Sequence, residues 1–147
     1  MIVVSACLAG VKCRYDGKST PNSEVQRLIE EGKAVTVCPE VLGGCCTPRP
    51  ATEIAGGTGA DVLDGKRRVI NNIGEDVTEQ FVKGAEEVLK IAETSGAKKA
   101  ILKARSPSCG CGIIYDGTFT GKKIKGNGVT AELLLRNGIE VLTEEDL

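Results

Sequence analysis

The chain carries seven cysteines and no histidine, which already narrows the chemistry open to it. Without imidazole there is no Ser-His-Asp or Cys-His catalysis, no HExxH metal site and no mixed Cys/His zinc finger. Proton transfer falls to Glu, Asp, Lys, Tyr, Cys or water, and any metal must be held by thiolates and carboxylates. Five residues separate Cys7 from Cys13 and one separates Cys109 from Cys111. There is thus no CxxC knuckle for a zinc ribbon and no thioredoxin-type dithiol. An iron–sulfur cluster, in contrast, accepts thiolates from scattered loops. Three of them would leave one iron open to a substrate as a Lewis acid. One or two of the seven read equally well as small core hydrophobes.

Other polar residues flank these cysteines. Glu40 lies two positions after Cys38, with Pro39 stiffening the turn between them, and is a candidate proton carrier. Ser106 and Ser108 flank Pro107 just before Cys109. Their hydroxyls could orient water or substrate, or simply cap a turn. Lys103 and Arg105 would bring positive charge to an anionic centre.

The elements that must position these groups follow from pattern. Ile2 to Ala6 reads as a buried strand ending at Cys7, and Ala34 to Val37 as a second ending at Cys38. Ala100 to Lys103 is a third, running into the Ser106–Cys109 loop. Between the first two strands a helix begins at Asn22 or Ser23, with Ser23 and Gln26 at capping-box spacing, and stops at Gly32. The stretch from Val41 to Asp76 reads as an irregular insertion. Within it Asp64-Gly65 suggests a tight turn pairing Asp61–Leu63 with Arg67–Ile70. Thr78 caps the clearest helix, whose stripe Phe81, Val82, Ala85, Val88, Leu89 and Ala92 is core packing. Ile113 to Thr120 reads as a small hairpin turning at Asp116-Gly117. Val129 to Arg136 is a last helix, and Ile139 to Leu142 a last strand.

Alternating strands and helices imply an α/β fold, a largely parallel sheet flanked by helices in a Rossmann-like manner. In such sheets ligands sit beyond the carboxyl ends of the strands. Three cysteine-bearing loops, at Cys7, Cys38 and Cys109, would therefore meet on one edge.

Length and composition fit one domain with a core built mainly from Val, Ile, Leu and Ala. The 147 residues are read as one domain, 1–147, with 41% apolar residues but only 3% aromatic. A net charge of -1 gives no general attraction to nucleic acid or membrane, so neither is expected as a partner. The start Met1-Ile2-Val3-Val4 lacks the basic and apolar regions of a secretory signal, and no apolar run is long enough to span a bilayer. The expectation is a cytoplasmic protein, where a cysteine-rich chain binds metal or handles sulfur more often than it forms disulfides.

Longer motifs carry a family resemblance. Ser5-Ala6-Cys7-Leu8-Ala9-Gly10, Cys13-Arg14-Tyr15-Asp16-Gly17, Cys38-Pro39-Glu40-Val41-Leu42-Gly43-Gly44 and Arg49-Pro50 supply the first half of it. Lys103-Ala104-Arg105-Ser106-Pro107-Ser108-Cys109-Gly110, Tyr115-Asp116-Gly117-Thr118-Phe119 and Gly128-Val129-Thr130-Ala131 supply the second. Together they resemble the thiouracil desulfidase (TudS-like) family. The resemblance implies a 4Fe-4S cluster held by Cys7, Cys38 and Cys109, with one iron free. It implies non-redox desulfuration of a small thiolated nucleobase, such as 2-thiouracil, to uracil and hydrogen sulfide. The substrate sulfur would bind the open iron, Glu40 would act as acid/base and Ser106 would position or relay the proton. Cys13 matches a family cysteine and is expected to support the site, along with Ser108 and Lys103. Cys45, Cys46 and Cys111 depart from the family pattern. They read as inert fillers or as local substitutes for a ligand. The alternatives to an enzyme are a non-catalytic metal or cluster module and a metal-free thiol-based sulfur carrier. The physiological substrate and the oligomeric state are left open.

Overall fold

The computed structural model describes residues 1–147. Its centre is a four-stranded, all-parallel sheet in the order β2-β1-β5-β8. The strands are β1 (Ile2–Ser5), β2 (Ala34–Val37), β5 (Lys99–Leu102) and β8 (Glu140–Thr143). Helices cover both faces, as a parallel sheet requires. Alternate residues of each strand point to opposite faces. Val3, Ala100, Leu102 and Val141 pack with α4 (Thr78–Thr94) and α5 (Val129–Arg136). Val4 and Ile101 pack with Val25 of α1 (Ser23–Glu30). The expected mixed α/β fold with a largely parallel sheet is the one observed.

Three smaller elements interrupt the chain between β2 and α4: α2 (Pro39–Leu42), β3 (Thr52–Ile54) and α3 (Gly59–Leu63). They are followed by β4 (Val69–Asn71), which pairs antiparallel with β3. The insertion is thus more ordered than its sequence suggests. The pairing of Asp61–Leu63 with Arg67–Ile70 does not form. Asp61 accepts hydrogen bonds from the backbone N–H and the hydroxyl of Thr58 at 2.9 and 3.2 Å, which starts a helix at these residues. Gly65 then follows the end of α3, with its N–H on the Val62 carbonyl.

Three further sequence expectations are corrected. The N-cap of α1 is Asn22, whose Oδ1 accepts the N–H groups of Glu24 and Val25 at 3.0 and 3.2 Å; the Ser23–Gln26 box is not used. Thr78 is the first residue of α4 rather than its cap, and Asp76 Oδ1 accepts its N–H at 2.9 Å. The small hairpin pairs β6 (Ile113–Tyr115) with β7 (Lys123–Lys125), so its connection is residues 116–122 rather than a tight turn. The α4 stripe is core as read, with Phe81, Ala85, Val88 and Ala92 buried. Phe81 and Ala85 join Ile54, Val62, Val69, Ile114 and Val129 in a separate cluster that fastens the insertion and the hairpin to the main body.

Candidate active site

β1, β2 and β5 are neighbours in the sheet, so the loops after them emerge side by side. They open into a cavity of about 710 Å³. Four of the seven cysteines line it: Cys7, Cys13, Cys38 and Cys109. Cys45, Cys46 and Cys111 do not. Cys111 packs against the core with its Sγ 3.6 Å from the Val141 carbonyl oxygen, and Cys46 is exposed. The local substitution of a ligand by one of these three has no geometric support.

The thiols are electrostatically unequal. Cys38 is the N-cap residue of α2. Its pKa is pushed down to about 6, first by a hydrogen bond from the Cys13 thiol and then by the Val41 N–H, against the cost of burial. The pKa of Cys7 is also lowered, again chiefly by Cys13, with smaller help from Lys103. Cys13 is correspondingly raised, because it keeps the proton that both neighbours seek. Cys109 is fully enclosed, and burial pushes it up to about 12. Ser5 opposes that shift by donating its hydroxyl proton to the Cys109 sulfur at 3.6 Å.

Glu40 projects from the first turn of α2. Arg49 donates from Nε to its Oε1 at 3.1 Å, and both side chains are nearly enclosed, at 7% and 14% exposure. The rest of the Arg49 fork reaches the Cys13 and Cys46 carbonyls and the Thr47 hydroxyl, each at 3.0 Å. One guanidinium therefore ties the Cys13 loop and the segment after α2 to the carboxylate. The other carboxylate oxygen accepts the Ser108 hydroxyl at 3.1 Å, and Ser106 Oγ lies 3.0 Å from Ser108 Oγ. Ser106 Oγ also accepts the N–H groups of Ser108 and Cys109, both at 3.1 Å. Proton counting then gives an ordered chain in which Ser106 donates to Ser108 and Ser108 to Glu40. Ser108 touches the carboxylate, and Ser106 reaches it through Ser108.

Glycines let the two halves of this site approach their supports. Gly43 at the end of α2 and Gly84 of α4 lie backbone against backbone, and a Cβ on either would overlap a carbonyl of the opposite helix. On the other side, the first N–H groups of α5 hold the Ser106–Gly110 loop. Gly128 donates to Gly110 at 2.7 Å, Val129 to Pro107 at 2.9 Å, and Thr130 and Ala131 to Ser108 at 2.8 and 3.1 Å. Donors that a helix leaves unpaired thereby fix the loop. A Cβ on Gly128 would stand 2.5 Å from the Ser108 carbonyl carbon. Lys103 is held aside by Glu144 at 2.8 Å, and Arg105 by Glu145 at 2.7 Å.

Arg49, Ser5 and Thr20 were not given roles from sequence. Arg49 sits in the Arg49-Pro50 motif, which marked the position but not its partner. Ser5 looked like the end of a strand, yet it donates to Cys109 and accepts the Lys103 N–H at 2.9 Å. Nothing in the sequence pointed to Thr20.

The family model described as 2-thiouracil desulfurase matches residues 2–146. The chain belongs to the 2-thiouracil desulfurase family. A similar curated relative of this family member is a Bacillus subtilis (strain 168) protein described as "Uncharacterized protein YbbK". It is 51% identical over 147 residues, covering 100% of this chain and 97% of the relative. A similar solved structure is the [4Fe-4S]-dependent thiouracil desulfidase TudS. It is 43% identical with a TM-score of 0.89, over 99% of this desulfurase-family chain and 91% of the other. No helix of the family member described here is long and apolar enough to cross a membrane.

Proposed function

We propose that the chain is a single-domain, cytoplasmic desulfidase of small thiolated nucleobases, replacing the sulfur of a thiocarbonyl with oxygen from water. The observation that carries this reading is the Ser106–Ser108–Glu40–Arg49 chain in the wall of a cavity that four thiols also line. A module that merely stored metal or sulfur would need no such proton path.

The donor set fits a 4Fe-4S cluster. Cys7, Cys38 and Cys109 come from three adjacent strand ends, and the pKa values of Cys7 and Cys38 are shifted down, toward the thiolate form that ligation requires. The Thr20 hydroxyl is buried without a hydrogen-bond partner and lines the cavity with Cys7. A ligated sulfur, richer in charge, would accept from it. No three Cys, Asp or Glu side chains converge on one ion position. A tetrahedral zinc, with Zn–S of about 2.3 Å, would demand such convergence, whereas a cluster spreads its thiolates over its corners. When bound, the cluster would supply an iron without a protein ligand as Lewis acid for the thiocarbonyl sulfur.

The chain's own residues supply the rest. Glu40, fixed by Arg49, takes a proton from the water that attacks the thiocarbonyl carbon. The carbon–oxygen bond forms, the carbon–sulfur bond breaks, and both protons of that water, the second released as the carbonyl forms, leave with the sulfur as hydrogen sulfide, with no change in electron count. Ser108 holds the reactive carboxylate oxygen, and Ser106 holds Ser108. Cys13 supports the site by directing its single thiol proton to its neighbours, and the charge of Lys103 favours the Cys7 thiolate.

The test is anaerobic reconstitution with iron and sulfide, followed by incubation with 2-thiouracil. Uracil and sulfide in equal amounts are expected from the reconstituted protein and neither from Glu40→Gln. Reconstituted protein that holds iron but releases no sulfide from 2-thiouracil would overturn the reading.

A further inference from the structure

The chain has four aromatic residues, two Tyr and two Phe, and no Trp. Phe81 is in the core. The other three, Tyr15, Tyr115 and Phe119, all line the one large cavity, and Tyr15 and Phe119 are exposed, at 44% and 38%. A protein this poor in aromatics builds its core almost wholly from aliphatics and places three of its four rings beside one cavity, with the Arg14 guanidinium over the ring of Tyr15.

Phe119 is also held in a conformation that phenylalanine avoids. Its φ is 58°, in the left-handed region, and Arg105 is the only other non-glycine residue with positive φ. A bulky residue there is a genuine outlier, of the kind that persists only where its surroundings enforce it. The enforcing contacts are visible. Glu53 Oε1 accepts both the Gly117 N–H at 2.9 Å and the Phe119 N–H at 3.2 Å. Asp116 Oδ1 accepts the N–H and the hydroxyl of Thr118 at 3.0 and 2.6 Å. The 116–122 connection is thereby fastened to β3.

We infer that Phe119 is a substrate-contacting residue, a stacking face for the planar ring of a pyrimidine, and that Glu53 is the positioning residue that presents it. This rests on the desulfidase reading and deepens it. Stacking on an aromatic face is worth the most where the other contacts to a ring are few. Every cation lining the cavity is paired with a carboxylate, Arg14 with Asp16, Arg49 with Glu40, Lys103 with Glu144 and Arg105 with Glu145. No cation is left free to bind the ring, and Phe119 offers it an apolar face.

The test uses the reconstituted protein and two probes, 2-thiouracil for turnover and uracil for binding. Phe119→Ala is expected to raise KM for 2-thiouracil about tenfold while kcat and the visible absorption of the cluster stay within twofold. Glu53→Ala should act in the same direction, and Glu53→Gln should restore the wild-type KM, since its amide oxygen accepts both N–H bonds. Phe119→Trp supplies the chain's sole Trp, and its emission should be quenched saturably by uracil. That readout needs no turnover, so it stands even if the desulfuration reading fails. Unchanged KM in Phe119→Ala, or Trp emission indifferent to uracil, would overturn the inference while leaving the desulfidase reading intact.

Discussion

Gly84 of α4 lies so close to the carbonyl of Pro39 that a methyl group on it would overlap that oxygen. The contact fixes the height of α2 above α4, and hence the position of Glu40. Gly84→Ala should force α2 outward. The expected result is a stability loss of about 1–3 kcal/mol by urea denaturation, the usual cost of overpacking. A fall in kcat of more than about tenfold should accompany it, since a displacement of about 1 Å at a catalytic group is that costly. Retained kcat in a destabilised protein would show that Glu40 is not positioned through this contact.

Ser106 and Ser108 should separate kinetically from thermodynamically. Ser108→Ala removes the only hydroxyl touching Glu40 but leaves no backbone donor stranded, so kcat should fall about 10- to 100-fold with little change in stability. Ser106→Ala strands the N–H groups of Ser108 and Cys109, so it should also cost about 1–3 kcal/mol in the denaturation midpoint. Equal stability of the two variants would contradict the hydrogen-bond assignment.

Arg49 should resist conservative replacement. Arg49→Lys keeps the charge but cannot reach Glu40, two carbonyls and a hydroxyl together. Arg49→Ala leaves Glu40 enclosed without its partner, which should cost about 3–5 kcal/mol in stability near neutral pH. Arg49→Lys should recover part of that loss but little of the activity, as measured by denaturation and by sulfide release.

The cysteines should be distinguishable by their pH profiles in metal-free, reduced protein. A Cys46→Ser background removes the exposed thiol. A pKa of about 6 for Cys38 means that its thiolate fraction rises as pH passes upward through 6. Brief iodoacetamide labelling, read by peptide mass, should follow that midpoint. Cys109, pushed up to about 12 and enclosed, should remain unlabelled through pH 9. Labelling of Cys109 ahead of Cys38 would overturn the assignment of which thiol is poised for ligation.

Stability at acid pH should report on Asp76. Its carboxylate accepts the Thr78 hydroxyl at 2.6 Å and N–H at 2.9 Å and pairs with Arg68 at 2.8 Å. The Thr78 bonds, and then Arg68, hold its pKa below the ordinary carboxylate value. A depressed native pKa stabilises the fold above the unfolded pKa and loses that contribution as pH falls through the native one. Asp76→Ala should therefore cost about 1 kcal/mol at pH 7, as for a lost helix cap. The difference from wild type should close in acid, below the native pKa.

The strands and long helices were legible because each repeats one rule over many residues. The convergence of Cys7, Cys38 and Cys109 followed from strand ends alone, since neighbouring parallel strands must deliver their loops to one edge. The insertion was not legible. Asp64-Gly65 is a good turn in either context, and only the Thr58–Asp61 capping contact decides for a helix. Nor could spacing reveal that Arg49 meets Glu40 or that Ser108 stands between Ser106 and the carboxylate. Those contacts are set by the Gly43–Gly84 and Gly128–Ser108 approaches, where the informative feature is a side chain that is missing.

The strand order 2-1-5-8 has a consequence for biosynthesis. When the ribosome has released the chain only as far as α2, Cys7, Cys13 and Cys38 are present but the far edge of β1 is bare. Cys109 and the serines arrive with the loop after β5, and that loop is secured only when the start of α5 emerges. On the proposed ligation by Cys7, Cys38 and Cys109, the full donor set exists only once the last third of the chain has emerged. A stalled or truncated chain lacking the last third would have neither the proposed Cys109 ligand nor the serines beside it.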